Sequence, residues 1–274
     1  MGKGRTLLGV VLLVAALVLW EDGQKREYTI PKTPDAPLVI AHRAGAASGP
    51  ENTVAALERA IAAGADMAEI DVGRTRDGVL VVLHDDTLRR TTGVDGTVRD
   101  TRYEVVRRLD AGSWYSIAFA GEPIPTLEEM LWAARGRIPL MIELKYKPGD
   151  WTLVEKTVAL IRDLNMEGQC VLGCSDLVTL HRSKQLLPEL ETVYIGGVLF
   201  PGMEQLAYVD GFSIRSENLA PEDVARLQGA GKSVYAWTVN TVEELQRVLD
   251  MNLDGVVTDD PDLALRSLKT GAGQ

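Results

Sequence analysis

Short apolar runs alternate with amphipathic helical patterns along almost the whole chain from Leu38 onward. Such alternation is typical of parallel β-strands joined by crossover helices. The runs predicted as barrel strands are LVIAH (38–42), MAEIDV (67–72), IPLMIELK (138–145), CVLGCS (170–175), TVYIGGV (192–198), GFSIRS (211–216), SVYAWTV (233–239) and GVVTD (255–259). The helical patterns between them cover 52–64, 126–135, 151–164, 177–187, 221–229 and 241–251. Eight strands in series with intervening helices predict an α/β fold, the TIM (β/α)8 barrel, over residues 37–270.

One further apolar run, VLVVLH at 79–84, follows the second strand after a tight turn. A parallel partner would need a crossover of about a dozen residues or more, so the two segments are predicted to form an antiparallel hairpin. Asp77-Gly78 is a strong signal for a two-residue hairpin turn. A loop of these two residues would place Asp71 opposite His84.

Three segments lie outside the barrel pattern. Residues 85–124 are rich in Thr, Arg, Asp and Gly and weakly periodic, so they are interpreted as an insertion after the second strand. Residues 1–20 place Lys and Arg ahead of the apolar run TLLGVVLLVAALVLW (6–20), the layout of a secretory signal. Residues 21–36 are polar, contain two prolines and are interpreted as a linker.

The apolar run at 6–20 leaves alternatives open. As a helix it spans about 22 Å, against a hydrocarbon core of about 30 Å. Trp20-Glu21-Asp22 follows it without a typical small-residue cleavage site. An uncleaved signal anchor would make the membrane a partner and hold the barrel outside the cytoplasm, whereas a cleaved signal peptide would release it. A buried helix is the third alternative.

The charge balance restricts the partners. The chain carries 29 basic and 39 acidic residues, a formal net charge of −10. Nucleic-acid binding requires clustered Lys and Arg, so nucleic acid is excluded as a partner. A bound phosphate would require a metal ion or a few placed cations to reverse the local field.

Carboxylates cluster where predicted barrel strands end. Glu69 and Asp71 lie two positions apart on one strand, so they share one face, and Glu143 ends the next barrel strand. Three carboxylates leave positions for water and substrate, as one catalytic Mg²⁺ or Ca²⁺ requires. The alternatives are a strand end exposed to solvent for the first pair and a core ion pair between Glu143 and Lys145.

Basic and imidazole side chains occupy the same predicted edge. In a TIM barrel the carboxyl ends of the strands form the active face. His42 ends the first strand and His84 ends the hairpin, and the two could act as general base and general acid on either side of a scissile bond. Arg43 offers a planar fork for phosphate, and Lys145 offers a point charge. Asn52 could cap the first helix or reach a ligand.

Other candidates are less specific. Trp237 alternates with Tyr235 on a strand and could form an apolar wall for a ligand or belong to the core. His181 lies in a helical stretch and is interpreted as a surface or packing residue. Asp259 and Asp260 end the last strand and are interpreted as a structural cap.

The joint spacing of these clusters resembles the glycerophosphodiester phosphodiesterase family over residues 38–265. The resemblance rests on AHRAGAASGPENT (41–53), AEIDVGRTRDGVLVVLHDDTLRRTTGVDGTV (68–98), IPTLEEML (124–131), MIELK (141–145), YAWTVN (235–240) and DGVVTDDP (254–261). It implies a TIM barrel with an insertion after the second strand. One departure is Ala44, where the family usually has Gly directly after His-Arg; here Gly45 comes next.

The resemblance also implies roles for individual residues. It implies a divalent metal, Mg²⁺ or Ca²⁺, held by Glu69, Asp71 and Glu143, and His42 and His84 as the acid–base pair. It further implies that the substrate is bound by Arg43, Glu51, Asn52, Lys145 and Trp237.

The expected reaction is metal-dependent hydrolysis of a small-molecule or lipid-derived glycerophosphodiester to glycerol 3-phosphate and an alcohol. The nucleophile could be water or the glycerol hydroxyl next to the phosphate. A lysophospholipase D or related barrel phospholipase D is the first alternative. A catalytically silent barrel that binds glycerophosphates is the second.

Overall fold

The computed structural model describes residues 36–271. Within them the strands are β1 Leu38–Ala41, β2 Met67–Arg74, β3 Leu80–Val82, β4 Leu140–Leu144, β5 Cys170–Cys174, β6 Glu191–Gly196, β7 Gly211–Arg215, β8 Ser233–Trp237 and β9 Gly255–Thr258. The α-helices are α1 Val54–Ala63, α2 Arg89–Thr92, α3 Tyr103–Val106, α4 Leu127–Ala134, α5 Trp151–Asp163, α6 Leu177–Leu186, α7 Pro221–Gly229, α8 Val242–Leu249 and α9 Pro261–Gly271. Short 3₁₀ helices cover His42–Ala44, Ile117–Phe119, Met203–Gln205 and Ser216–Asn218.

Eight of these strands form a closed parallel barrel. Strand β1 pairs with β2 on one side and with β9 on the other, and each remaining barrel strand pairs in parallel with its neighbours. Strand β3 pairs with β2 in the antiparallel sense and lies outside the ring. All eight predicted barrel strands, the hairpin and the TIM-barrel architecture are therefore confirmed.

The alternation of side chains along the strands builds two apolar layers. The larger layer fills the space between the barrel and its surrounding helices. A smaller cluster inside the barrel includes Ile40, Met67 and Met141. Glu69 and Asp71 follow Met67 at intervals of two residues on β2, so they share its inward face nearer the carboxyl end.

The hairpin register differs from the predicted one by a single residue. The observed pairs include Val72 with Val82, and the Leu83 amide donates to the Asp71 carbonyl at 2.9 Å. Asp71 therefore lies opposite Leu83, and the prediction that it lies opposite His84 was wrong.

The length of the turn explains the shift. The Gly78 amide donates to the Thr75 carbonyl at 3.0 Å, and Gly78 has a φ of +83°. Arg76, Asp77 and Gly78 thus form a three-residue loop whose last residue adopts the left-handed conformation, a common alternative to the two-residue hairpin.

Residues 83–126 join β3 to α4 and surround a small core of their own. That core includes Leu83, Leu88, Val106 and Ile124. The segment contacts the active end of the barrel, because the Tyr115 hydroxyl donates to the carbonyl of Ala47 at 2.6 Å.

The amino-terminal predictions lie largely outside the described residues. This holds for the signal anchor or signal peptide at 1–20 and for linker residues 21–35. Among residues 36–271, no helix is both long enough and apolar enough to cross a membrane.

Candidate active site

A cavity of about 320 Å³ opens where the barrel strands end. Seven of the predicted site residues line it: His42, Arg43, Glu69, His84, Glu143, Lys145 and Trp237. The other three, Glu51, Asn52 and Asp71, lie behind this lining and are buried.

The three predicted metal-binding carboxylates come together. Glu69, Asp71 and Glu143 each offer one oxygen, and these oxygens all lie within 4.8 Å of one another. Lys145 joins the cluster, with Nζ 2.7 Å from Asp71 Oδ1 and 3.0 Å from Glu143 Oε2. Glu143 thus combines the two roles that the sequence allowed, because it forms an ion pair with Lys145 and also belongs to the carboxylate cluster.

Burial gives the cluster unusual acidities. Burial and the neighbouring Asp71 carboxylate raise the pKa of Glu69 to about 8. Burial also raises the pKa of Glu143, although Lys145 opposes this. Burial would raise the pKa of Asp71 as well, but the charges of Lys145 and His84, together with hydrogen bonds from Lys145 and Asn52, outweigh it, so the pKa is lowered. Glu69 and Glu143 therefore hold their protons more tightly than a free glutamate, whereas Asp71 stays ionised beside Lys145.

The donor set fits one hard divalent cation. Glu69 Oε2 accepts a hydrogen bond from the Arg43 amide at 2.8 Å. Glu69 Oε1 is buried and has no hydrogen-bond partner among the described residues. Carboxylate oxygens are the ligands that Mg²⁺ and Ca²⁺ prefer, and a buried oxygen without a partner is costly unless a ligand uses it.

Asn52 is bound to the carboxylate cluster. Its Nδ2 donates to Asp71 Oδ2 at 2.7 Å, and its Oδ1 accepts from the Asp71 amide at 3.0 Å. The two contacts fix Asp71 in place. The helix cap, one of the two roles that the sequence left open for Asn52, belongs instead to Thr53, whose side chain accepts from the Ala56 amide at 3.2 Å. Asn52 has a φ of +61°, in the left-handed region, and its side chain contacts Asp71 on β2.

His42 is held by a carboxylate. Its Nδ1 lies 2.6 Å from Asp259 Oδ1. Since an ionised carboxylate only accepts hydrogen bonds, Nδ1 carries the proton and Nε2 is left for chemistry. Burial lowers the pKa of His42, but the Asp259 hydrogen bond and the Glu69 charge outweigh it, so the pKa is raised.

The sequence interpretation of Asp259 as a structural cap was wrong, and that of Asp260 is confirmed. Asp260 Oδ1 accepts from the Leu263 amide in the first turn of α9. The contact between Asp259 and His42 could have been predicted from barrel closure. Strand β1 pairs with β9, and this pairing places Ala41 beside Thr258. The residues that follow this pair are His42 and Asp259.

His84 has a similar arrangement with its chain neighbour. Its Nδ1 lies 2.9 Å from Asp85 Oδ1. Burial would raise the pKa of Asp85, but the Arg90 hydrogen bond, the largest influence, and the His84 hydrogen bond lower it to about 2. Asp85 was not predicted from the sequence, although an acidic residue directly beside a candidate histidine was a usable signal.

Arg43 presents an unused donor to the site. Its Nη1 donates to Glu51 Oε1 at 3.0 Å. Its Nε is buried without a hydrogen-bond partner among residues 36–271, and it lies 3.9 Å from Asp71 Oδ2. Glu51 therefore holds one end of the guanidinium, and Nε keeps an unsatisfied hydrogen-bond donor close to the Asp71 carboxylate.

The departure at Ala44 has a structural cost. Ala44 has a φ of +65°, in the left-handed region that favours glycine. An L-residue there costs about 1–2 kcal/mol. The Ala44 methyl group is fully buried, and burying one such group contributes about 0.8 kcal/mol. The packing therefore offsets much of the strain.

Trp237 lines the cavity and packs against the apolar cluster inside the barrel, so both alternatives that the sequence left open for it are present. Its Nε1 donates to the Ser213 carbonyl at 3.1 Å, which fixes the indole. The Arg215 guanidinium carbon lies 4.8 Å from the centre of the indole ring.

A TIM barrel with clustered carboxylates, two oriented imidazoles and two cationic side chains in one cavity defines an enzyme site for phosphate esters. The chain belongs to the Glycerophosphoryl diester phosphodiesterase family, whose sequence model matches residues 42–263. It is therefore a phosphoric diester hydrolase that acts on glycerophosphodiesters.

Individual relatives agree with this assignment. A glycerophosphodiester phosphodiesterase of Caldanaerobacter subterraneus subsp. tengcongensis is 34% identical over 241 residues, covering 85% of this chain and 98% of the relative. A human lysophospholipase D is 29% identical over 263 residues, covering 81% and 83%. The solved structure of an Oleispira antarctica phosphodiesterase in complex with the product sn-glycerol-3-phosphate has a TM-score of 0.78 and 30% identity, covering 85% of this chain and 97% of that one.

Proposed function

We propose that this chain hydrolyses a glycerophosphodiester to glycerol 3-phosphate and an alcohol, with one divalent metal ion and with His42 and His84 as the acid–base pair. One observation carries the proposal: both imidazoles, Arg43 and Lys145 line the same cavity as Glu69 and Glu143, and Asp71 lies directly behind these two carboxylates. The Oleispira relative, which was solved with sn-glycerol-3-phosphate, supports the identity of the product.

Glu69, Asp71 and Glu143 would hold the ion, Mg²⁺ or Ca²⁺. When bound, the ion supplies positive charge that polarises and neutralises the phosphoryl group. Asn52 keeps Asp71 oriented through its two hydrogen bonds.

Two cationic side chains bind the phosphate. Arg43 offers Nε, and its planar guanidinium suits phosphate oxygens. Lys145 brings a second positive charge, and its carboxylate neighbours, first Asp71 and then Glu143, overcome the effect of burial and raise its pKa. The ammonium therefore stays charged across the physiological pH range.

The two histidines move the protons. One Nε2 accepts the proton of the nucleophile, either water or the adjacent glycerol hydroxyl, and the other donates a proton to the leaving alkoxide. The raised pKa of His42 favours the protonated form and so the donor role. His84 then acts as the base, with Asp85 holding its ring.

The test is a product analysis on glycerophosphocholine with chelated protein, followed by addition of Mg²⁺ or Ca²⁺. We expect glycerol 3-phosphate and choline only after metal is added. Full activity under thorough chelation would overturn the metal assignment. Release of choline phosphate would show that the other ester bond is cleaved, and binding of glycerol 3-phosphate without turnover would indicate a catalytically silent barrel.

A lysophospholipase D activity is a second candidate. Val198 and Phe200 are 50% and 59% exposed on the segment after β6, next to Gly197, which lines the cavity. Exposed apolar side chains beside a site offer a surface for an acyl chain. Choline release from lysophosphatidylcholine tests this candidate, and Phe200→Ser should reduce that reaction while hydrolysis of glycerophosphocholine stays unchanged.

We further propose that residues 6–20 anchor the chain in a membrane with the barrel on the extracytoplasmic side. The proposal is supported by the basic residues before this apolar run and by the lack of a typical cleavage site after it. Cell fractionation with a carboxyl-terminal tag should recover the full-length chain with the membrane. A soluble form shortened by about 20 residues would instead indicate cleavage and secretion.

A further inference from the structure

Arg90 makes two ion pairs at once. It lies on α2, within the predicted insertion 85–124. Its Nη1 and Nη2 donate to Glu51 Oε2 and Oε1, both at 2.7 Å. Its Nε and Nη2 donate to Asp85 Oδ2 and Oδ1 at 2.8 and 3.1 Å. One guanidinium therefore holds both oxygens of two different carboxylates.

Each of these carboxylates is the partner of a residue that lines the cavity. Asp85 Oδ1 lies 2.9 Å from His84 Nδ1, and Glu51 Oε1 accepts from Arg43 Nη1 at 3.0 Å. Arg43 follows β1 and His84 follows the hairpin, so they reach the cavity from different elements. Arg90 connects His84 and Arg43 through the carboxylates of Asp85 and Glu51.

We propose that Arg90 is a positioning residue that sets the orientation of His84 through Asp85 and that of Arg43 through Glu51. The inference rests on the proposed function of these two residues. The planar fork is essential to it, because a lysine is a point charge and cannot hold two carboxylates with paired hydrogen bonds. Glu51 is also 7% exposed, so it depends on its two arginine partners to remain a fixed anion.

The chain offers a matched control within the same segment. Arg99 Nη2 lies 3.1 Å from Asp150 Oδ2, and Arg74 also binds Asp150. This arginine likewise ties the segment to the barrel through a buried carboxylate. None of these three residues lines the cavity, so Arg99→Gln removes a similar ion pair without touching the site.

The experiment compares Arg90→Gln, Arg90→Lys and Arg99→Gln by turnover of glycerophosphocholine, by calorimetric binding of sn-glycerol 3-phosphate and by thermal unfolding. We expect Arg90→Gln to lower kcat by about 10- to 100-fold through misplacement of His84. It should also weaken binding of glycerol 3-phosphate by about tenfold through Arg43. Arg90→Lys should retain only part of the wild-type kcat and affinity. Arg99→Gln should change the thermal unfolding temperature but neither kcat nor the affinity for glycerol 3-phosphate.

Two double variants separate positioning from a purely structural role. In an Asp85→Asn background, Arg90→Gln should cost little further kcat, and in a Glu51→Gln background it should cost little further affinity for glycerol 3-phosphate. The inference would be overturned if Arg90→Gln and Arg99→Gln changed kcat and the affinity for glycerol 3-phosphate equally. It would also be overturned if Arg90→Gln caused its full loss of kcat in the Asp85→Asn background and its full loss of affinity in the Glu51→Gln background. If the wild type hydrolyses no diester, the proposed function fails, whereas binding of glycerol 3-phosphate still tests the link from Arg90 to Arg43.

Discussion

His42 Nδ1 lies 2.6 Å from Asp259 Oδ1, and this contact joins the ends of the first and last strands of the barrel. Asn240 holds the same carboxylate, because its Nδ2 donates to Asp259 Oδ2 at 2.6 Å and its Oδ1 accepts from the Asp259 amide at 2.9 Å. Both carboxylate oxygens are thus engaged. The imidazole ring of His42 is therefore fixed in orientation and in tautomer.

Asp259→Asn should lower kcat by about 10²–10⁴-fold, the range of acid–base catalysis. The amide removes the negative charge that raises the pKa of His42, so the limb of the pH–rate profile that reports His42 should move to lower pH. Profiles of kcat/KM against pH for both proteins measure this. Asp260→Asn is the control, because asparagine caps a helix as well as aspartate does. Similar profiles for the two variants would contradict the role of Asp259.

The histidines and the carboxylates should respond differently to metal. His42→Ala and His84→Ala should each lose about 10²–10⁴-fold in kcat and still bind the ion. Glu69→Ala and Glu143→Ala should weaken metal binding, so excess Mg²⁺ or Ca²⁺ should partly restore their activity. Titrations of activity against metal concentration distinguish the two groups. Metal rescue of a histidine variant would argue against the proposed division of roles.

Metal affinity should rise with pH because Glu69 must be ionised to bind. Its pKa of about 8 lies above the ordinary value of 4.5. Below about pH 8, the apparent affinity should increase by about tenfold per pH unit, with proton release on binding. Calorimetry in buffers of different ionisation enthalpy measures both quantities. An affinity that is constant from pH 6 to 8 would show that Glu69 is already ionised.

The raised pKa of Glu69 should also make the free energy of unfolding of the metal-free, chelated protein depend on pH. Between pH 4.5 and 8 the unfolded Glu69 is ionised, whereas the folded Glu69 keeps its proton. The folded state then binds more protons than the unfolded state. The contribution of Glu69 to the free energy of unfolding is therefore fully present below pH 4.5 and is lost as pH rises through 8. Glu69→Gln should flatten this part of the profile in urea unfolding. An unchanged slope would contradict the assignment.

Arg215 should influence the choice of headgroup. Its guanidinium lies over the Trp237 ring at the cavity wall, and its carboxylate neighbour Glu217 is 3.7 Å away and exposed. The cation therefore remains available to an anionic headgroup and covers an aromatic face that choline would use. Arg215→Gln should lower kcat/KM for a diester with a phosphorylated headgroup by about 2- to 5-fold relative to glycerophosphocholine.

Substrate pairs measured side by side check this prediction. Arg215→Lys should retain much of the preference, since the charge is kept. Arg182→Gln, which removes an exposed arginine paired with Glu155 on the outer helices, should leave the ratio unchanged. An Arg215→Gln ratio equal to that of the wild type would exclude a role in headgroup selection.

The barrel itself was predictable because its signals are local. Buried parallel strands read as short apolar runs, and the period of two residues placed Glu69 and Asp71 on one inward face. The carboxyl ends of these strands share one edge, so His42, Arg43, Glu143 and Lys145 were expected there. The resemblance of the motifs to a known family then connected these residues with phosphodiester hydrolysis.

Tertiary structure alone decided how these residues are held. The pairing of His42 with Asp259 joins positions 217 apart in sequence, and that of Arg90 with Glu51 joins positions 39 apart. The register of the hairpin depended on whether its loop has two residues or three, a choice that Asp77-Gly78 permits either way. Local patterns determine which face a side chain occupies, but a hydrogen-bond partner depends on the distances set when the barrel closes and segment 83–126 packs against it.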